Sequence, residues 1–266
     1  MNKTFYDHTF VICAYKESKY LEQCITSLNK QTVKSNIICT TSTPNNYIEN
    51  ICKINNIPLI INPERNDIAT DWNFAFFKTE TSYVTLVHQD DIYEKNYLEE
   101  FLIYISNNNH IIIFFSNYYE LRNNKIIKNN KLLYIKRIFC LPWRINFLRK
   151  SRFIARRIFM FCNPICCPSV TFNKNIILNS NFFISEYKTN CDWLAWIHLR
   201  DLKGDFLYCP KMLVGHRIHN ESETTKLIAN NTRNEEDFKI LKILSPLALA
   251  NIINKLYSKA TKSNNL

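Results

Sequence analysis

Apolar positions along this chain fall into short runs separated by stretches with helical spacing, and the two patterns alternate. The first run, Thr9 to Tyr15 (TFVICAY), is rich in β-forming residues and reads as a strand. Ser18 follows as an N-cap candidate, and Leu21, Cys24, Ile25 and Leu28 then recur at helical intervals. The unit repeats as Asn36 to Ser42 with Tyr47, Ile48, Ile51 and Cys52, and again as Pro58 to Asn62 with a helix from about Asp67 to Lys78. Two further strands are expected at Tyr83 to His88 and at His110 to Tyr118, the second too apolar to be anything but central. Ser169 to Phe172, a helix around Asp192 to Leu202, a strand near Phe206 to Val214 and helices from about Glu235 complete the pattern, with no internal repeat. Such alternation predicts an α/β fold whose mainly parallel central sheet is flanked by helices, and such sheets bind ligands at the carboxyl ends of their strands.

The length of 266 residues suits one large domain with an accessory segment. Residues 1–225 form the main domain in this reading, including a basic amphipathic segment at 121–165, and residues 226–266 form a C-terminal helical extension. No run approaches the roughly 18 apolar residues of a membrane-spanning helix, and MNKTFYDHTF lacks the apolar core of a signal peptide, so a cytoplasmic location is expected. Cys13, Cys24, Cys39 and Cys52 fall at apolar positions, as buried free thiols do. Cys162, Cys166 and Cys167 lack the paired spacing of a zinc ribbon and read the same way. The chain has only two glycines, Gly204 and Gly215. A glycine-rich phosphate loop and a dinucleotide fingerprint are therefore both excluded, and phosphate must be held by side chains, a metal or helix-terminal amides.

Charge is unevenly spread. Between Glu120 and Glu186 there is no Asp or Glu but there are thirteen Lys or Arg, so the remaining 21 basic and 23 acidic residues sum to −2 within a net charge of +11. In the densest part, Tyr134 to Cys162, basic residues interleave with Phe, Ile, Leu and Trp. That composition suits peripheral contact with an anionic membrane; it also suits an amphipathic helix packed on the main domain. Nucleic acid is the weakest reading, because no recognised nucleic-acid motif accompanies the charge.

Asp90 and Asp91 follow an expected buried strand and precede a helix, at the ligand-binding edge. Solvated turn residues would look the same, but adjacent carboxylates there raise each other's pKa unless a cation neutralises them, which favours a hard divalent metal, Mn²⁺ or Mg²⁺.

Three stretches together resemble family 2 glycosyltransferases: FVICAYKESKYLEQCITSLNKQT, HQDDIYEKNYLEE and CDWLAWIHLRDLKGDFLYCPKMLVGHRIHNES. The likeness spans about residues 9 to 225 and implies the GT-A (nucleotide-diphospho-sugar transferase) fold with a basic helical insertion. It implies an inverting, hexosyl-transferring enzyme that uses a divalent cation and a nucleotide-sugar donor. Asp192 matches the family's catalytic base. Tyr15 would stack on the nucleobase, with donor contacts from Glu17, Thr40, Ser42, Asp71, Asn73, His88, Asp91 and Arg217, and metal contacts from Asp90, Asp91 and His219. His216 stands three residues before His219; along one strand the two would face opposite sides, so only His219 is taken as a ligand. Trp193 and Trp196 are core residues or, for one of them, a platform for the acceptor sugar; helix capping explains Asp71 almost as well as donor contact does.

The sequence departs from the family pattern where Thr40 replaces a base-binding carboxylate, His88 the first Asp of the DxD signature and Cys191 the Glu before the base. The expectation is transfer of a sugar, from a donor that is most simply UDP-linked, to a glycan or lipid-linked acceptor in cell-surface polysaccharide synthesis, at the inner face of the plasma membrane. The rival readings are a non-catalytic glycan- or membrane-binding module and a nucleotidyltransferase, although Lys16-Glu17-Ser18 lacks the glycine of a nucleotidyltransferase loop.

Overall fold

The computed structural model describes residues 3–64, 67–108, 110–123, 125–179, 181–219 and 232–262. Ser222, the last residue of the third stretch of the resemblance, and the expected boundary at 225 lie outside them. The first half alternates β1 (Lys3–Ala14), α1 (Leu21–Asn29), β2 (Val33–Thr41), α2 (Asn46–Ile54), β3 (Leu59–Ile61), α3 (Ile68–Phe77) and β4 (Tyr83–His88). Then come β5 (Ile92–Tyr93), α4 (Tyr97–Ser106), β6 (Ile111–Arg122) and β7 (Lys125–Ile127). The basic segment is α5 (Lys131–Cys140), α6 (Asn146–Arg149) and α7 (Arg152–Phe161), and the chain continues through β8 (Val170–Asn173), α8 (Cys191–Leu199), β9 (Asp205–Ile218), α9 (Thr232–Leu244) and α10 (Leu247–Lys262).

Local chemistry fixes several helix starts. Asn45, Asp67, Asn130 and Ser151 each accept a bond from a backbone N–H three residues on, at 2.8 to 3.3 Å, capping α2, α3, α5 and α7. Ser18 does not cap α1: its hydroxyl takes the N–H of Tyr20, and the helix begins only at Leu21, one residue beyond.

The strands form one sheet in the order β3-β2-β1-β4-β8-β6-β9-β5, with β7 beside β6. β3, β2, β1 and β4 are mutually parallel, and β6 is parallel to β9. β8 enters antiparallel between β4 and β6, and β5 is antiparallel to β9, so the sheet is mixed. Alternate residues feed two cores. Val11, Leu86, Ile113 and Phe115 meet α3, α7 and α8, whereas Phe10, Ile12, Val87 and Phe114 meet α1, α2 and α4. Eleven consecutive residues of β6, Ile111 to Leu121, are buried, as expected of a central strand.

Ile240 and Leu241 of α9 and Ala250 and Ile253 of α10 lie in the first of these cores, so the C-terminal helices share the core of the main domain. The basic segment is not one helix, because Leu141–Arg144 tightens into a 3₁₀ turn carrying Pro142 and Ile145 is extended. It both packs and projects. Trp143, Ala155, Ile158 and Phe159 are buried, whereas Tyr134, Phe147 and Phe153 are 65%, 73% and 63% exposed. No helix among the described residues is long and apolar enough to cross a membrane, and Cys162, Cys166 and Cys167 are buried free thiols.

Candidate active site

The parallel strands β1, β2 and β4 end side by side, with Cys13 opposite both Thr40 and His88. Just beyond, Gln89 behaves as a strand extension: its side chain accepts from Tyr15 N–H at 3.1 Å and donates to Tyr15 C=O at 2.8 Å. Lys16 takes the left-handed region at φ 55° and gives its N–H to the Thr43 hydroxyl, which turns the chain away from the sheet. The Tyr15 ring is thereby left exposed at the strand edge, with Glu17 exposed beside it.

Thr40 and Ser42 are buried at the end of β2. Ser42 donates to Asp71 at 2.8 Å and Asn62 donates to its other oxygen at 2.9 Å, so α3 presents a carboxylate to the ends of β2 and β3. Burial raises the Asp71 pKa, against these two hydrogen bonds. Asn73 is occupied elsewhere. Its amide donates to Phe183 C=O and accepts from Phe183 N–H, so it braces that loop.

The Asp90-Asp91 turn is aligned by the two-residue strand β5. Ile92 lies opposite Gly215 and Tyr93 opposite Val214. Continued backwards, that antiparallel register sets Asp91 against His216 and Asp90 against Arg217. Asp91 is fully buried and accepts from Arg217 N–H at 2.7 Å and from His216 Nδ1 at 3.1 Å, with His88 Nδ1 at 3.7 Å. Asp90 stays partly exposed, with His219 Nε2 at 2.9 Å from its Oδ2.

Two expectations change here. The adjacent acids do not simply raise one another. Burial alone would raise Asp90, but the His219 hydrogen bond and the charges of His88 and His216 outweigh it and hold the carboxyl below its ordinary value. For His216, burial alone would lower the pKa, yet the charge and hydrogen bond of Asp91 raise it, so the contact with Asp91 favours the charged imidazole. Asp91 thus holds the turn, and Asp90 with His219 forms a second, partly exposed pair on it. Arg217 is engaged as well: it donates to Asp90 C=O at 2.8 Å and to Gln23 at 3.0 Å, and its guanidinium lies 4.1 Å from the centre of the Tyr20 ring.

His88 stacks on Trp72 at 4.8 Å, and burial lowers its pKa although the charges of Asp91, Asp90 and Asp192 oppose the change. That last charge ties the turn to α8. Asp192 lies in the first turn of α8, accepting from Trp193 N–H at 2.7 Å and from Asn163 at 3.0 Å. Burial raises its pKa, against the pull of Arg233, the Trp193 N–H, Asn163 and Lys136. Trp193 and Trp196 are fully buried, and Trp196 stacks on Phe172 at 5.8 Å, which makes both core residues and excludes a sugar platform.

His216, Gln89 and Asn163 join the site without having been expected. The alternation used to dismiss His216 applies only within a strand, and β9 ends at Ile218; both histidines reach the acidic turn, His216 at Asp91 and His219 at Asp90. No sequence signal marks Asn163.

The fold is that of the GT-A class of glycosyltransferase, as solved structures of that class show. The solved structure of Staphylococcus aureus TarS residues 1–349 superposes with a TM-score of 0.61 at 13% identity, covering 93% of this chain and 69% of that one. The mannosyltransferase PcManGT from Pyrobaculum calidifontis, in complex with GDP-Man and Mn²⁺, gives 0.60 at 9% identity over 98% and 76% of the chains. A protein of Haemophilus influenzae described as an uncharacterized glycosyltransferase is 23% identical over 240 residues, 86% of this chain and 70% of its own length. The model of glycosyl transferase family 2 matches residues 9–170. The chain belongs to that family.

Proposed function

We propose that this family 2 glycosyltransferase is an inverting, metal-dependent enzyme that moves a hexose from a UDP-linked donor to a glycan or lipid-linked acceptor in cell-surface polysaccharide synthesis. The observation that carries the reading is the pairing of a partly exposed Asp90 with His219 at 2.9 Å just beyond β4, together with an Asp192 carboxylate buried in the first turn of α8. Asp90 is held in its charged form beside His219, and Asp192 is made more basic by burial. Opposed shifts of this kind separate a charge-binding carboxylate from a proton acceptor.

Among the described residues no three His, Cys, Asp or Glu side chains are grouped as a ready metal cage. The donor set fits a cation that takes few protein ligands and fills its shell with diphosphate oxygens and water, as Mg²⁺ and Mn²⁺ do in nucleotide sites. Asp90 and His219 would hold it, and Asp91 would act through the turn it anchors. When bound, the cation would offset charge on the departing nucleoside diphosphate. PcManGT carries Mn²⁺ with its donor, which supports such use in this fold.

Tyr15 would stack on the nucleobase, with Glu17, Thr40 and Ser42 around base and ribose. Asp71 brings to that edge the carboxylate that Thr40 lacks. UDP and UDP-GlcNAc occupy TarS in other complexes, which supports a UDP donor. Asp192 would take the proton from the acceptor hydroxyl as its oxygen bonds to the anomeric carbon and the bond to the diphosphate breaks on the opposite face. Exposed Tyr134, Phe147 and Phe153 among the cations of 134–162 support peripheral contact with anionic lipid on the cytoplasmic side.

The test is a panel of sugar nucleotides with Mn²⁺ and the purified full chain. At least one donor, UDP-linked, should be turned over, and Asp192→Asn should lower kcat by about a hundredfold or more. Turnover of none, or an unchanged Asp192→Asn, contradicts the reading.

A further inference from the structure

The helix that carries Asp192 is not capped by its own sequence. Asn190 occupies the N-cap of α8 but makes no side-chain capping bond; its amide instead donates to Asp237 of α9 at 2.7 Å. The three backbone N–H groups leading into the helix all converge on one carboxylate from the same distant helix. Lys188 N–H reaches Glu236 Oε1 at 2.8 Å, and Thr189 and Asn190 N–H reach Oε2 at 2.8 and 3.2 Å. The Thr189 hydroxyl adds a fourth bond at 2.6 Å. Glu236 is 4% and Asp237 1% exposed.

Burying two adjacent carboxylates is unfavourable, and an apolar contact would dock α9 onto the core with less penalty. What the carboxylate supplies is direction. It fixes three successive amides, and therefore the angle at which the chain enters α8, two residues before Asp192. An acceptor hydroxyl must be met by the base within hydrogen-bond reach, and a small displacement there removes most of the benefit.

We infer that Glu236, with Asp237 behind it, is a positioning residue for the transfer reaction: it sets the N-terminus of α8 and so the place at which Asp192 meets the acceptor. This rests on the reading of Asp192 as the base. The C-terminal helices thereby belong to the catalytic apparatus.

A double-mutant cycle on the full chain tests this, with kcat, donor KM and calorimetric nucleotide affinity measured for Glu236→Ala, Asp192→Asn and the pair. Glu236→Ala should lower kcat roughly ten- to hundredfold with donor KM and nucleotide affinity unchanged, and should add nothing in the Asp192→Asn background. Thr189→Val, which removes one of the four bonds, should show the same pattern more weakly; it decides the matter if Glu236→Ala does not fold. Equal losses of kcat in both backgrounds, a matching loss of nucleotide affinity, or an unchanged kcat would each overturn the positioning role. A damaging Asp192→Asn beside a silent Glu236→Ala removes positioning alone, whereas a silent Asp192→Asn removes the base and positioning together.

Discussion

Asp192 would have to be ionised to accept a proton, yet burial favours its neutral form. The sign follows directly: activity should fall as pH drops through a pKa raised above the ordinary carboxylate value of about 4. The acid limb of kcat is therefore expected above that value. Asn163 donates to Asp192 and stabilises the charged form. Asn163→Ala should move the acid limb to still higher pH, and an unmoved or lowered limb in a pH profile would contradict the assignment. At this scale the sequence carried residue types but not their partners. Asp90 was marked by its place after a strand, and Asp192 and His219 by the resemblance to family 2 glycosyltransferases; in the structure the charges of Asp90 and Asp192 both reach His88. That Arg217 and Asn73 are consumed by Asp90 C=O and the Phe183 backbone was invisible, because those contacts join segments 127 and 110 residues apart.

Strand β9 delivers His216 and Arg217 to the acidic turn, and its approach depends on Gly215. A Cβ there would meet Tyr119 ring carbons at 2.7 to 2.8 Å, and the Tyr119 hydroxyl is itself tied to Glu94 at 2.8 Å. Gly215→Ala should force β9 outward, costing about 1–3 kcal/mol of stability by overpacking. Donor affinity should fall with it, because Asp91 loses its partners. Chemical denaturation alongside nucleotide titration checks both, and a neutral Gly215→Ala would show that the register is not tight. Elements with strong periodicity, such as β4 over Tyr83–His88 and α3 after its Asp67 cap, were legible. The two-residue β5 was not, nor was the antiparallel direction of β8, whose place at Ser169 to Phe172 was expected, since neither direction nor so short a pairing leaves a periodic trace. The break of the basic segment at Leu141–Arg144 was signalled only by Pro142.

The whole molecule joins a parallel half, whose strand ends would receive the donor, to a second half built around β6, β9 and α8 that carries Asp192. The helices of the basic segment cover that second half and leave Phe147 and Phe153 projecting among cations. Vesicles containing anionic lipid should retain the protein at low salt and release it as salt rises. Phe147→Ser with Phe153→Ser should abolish retention without loss of fold, both side chains being exposed; sedimentation indifferent to lipid charge would leave this face a packing surface only. The junction between the halves is the Asp90-Asp91 turn, held by β9 and partly exposed at Asp90 and His219. Calorimetric titration of UDP with and without Mn²⁺ interrogates it most directly. Affinity should appear only with the metal, vanish in Asp90→Ala and survive in Asp192→Asn. Equal binding of UDP in the presence of a chelator, or undiminished binding by Asp90→Ala, would contradict the account.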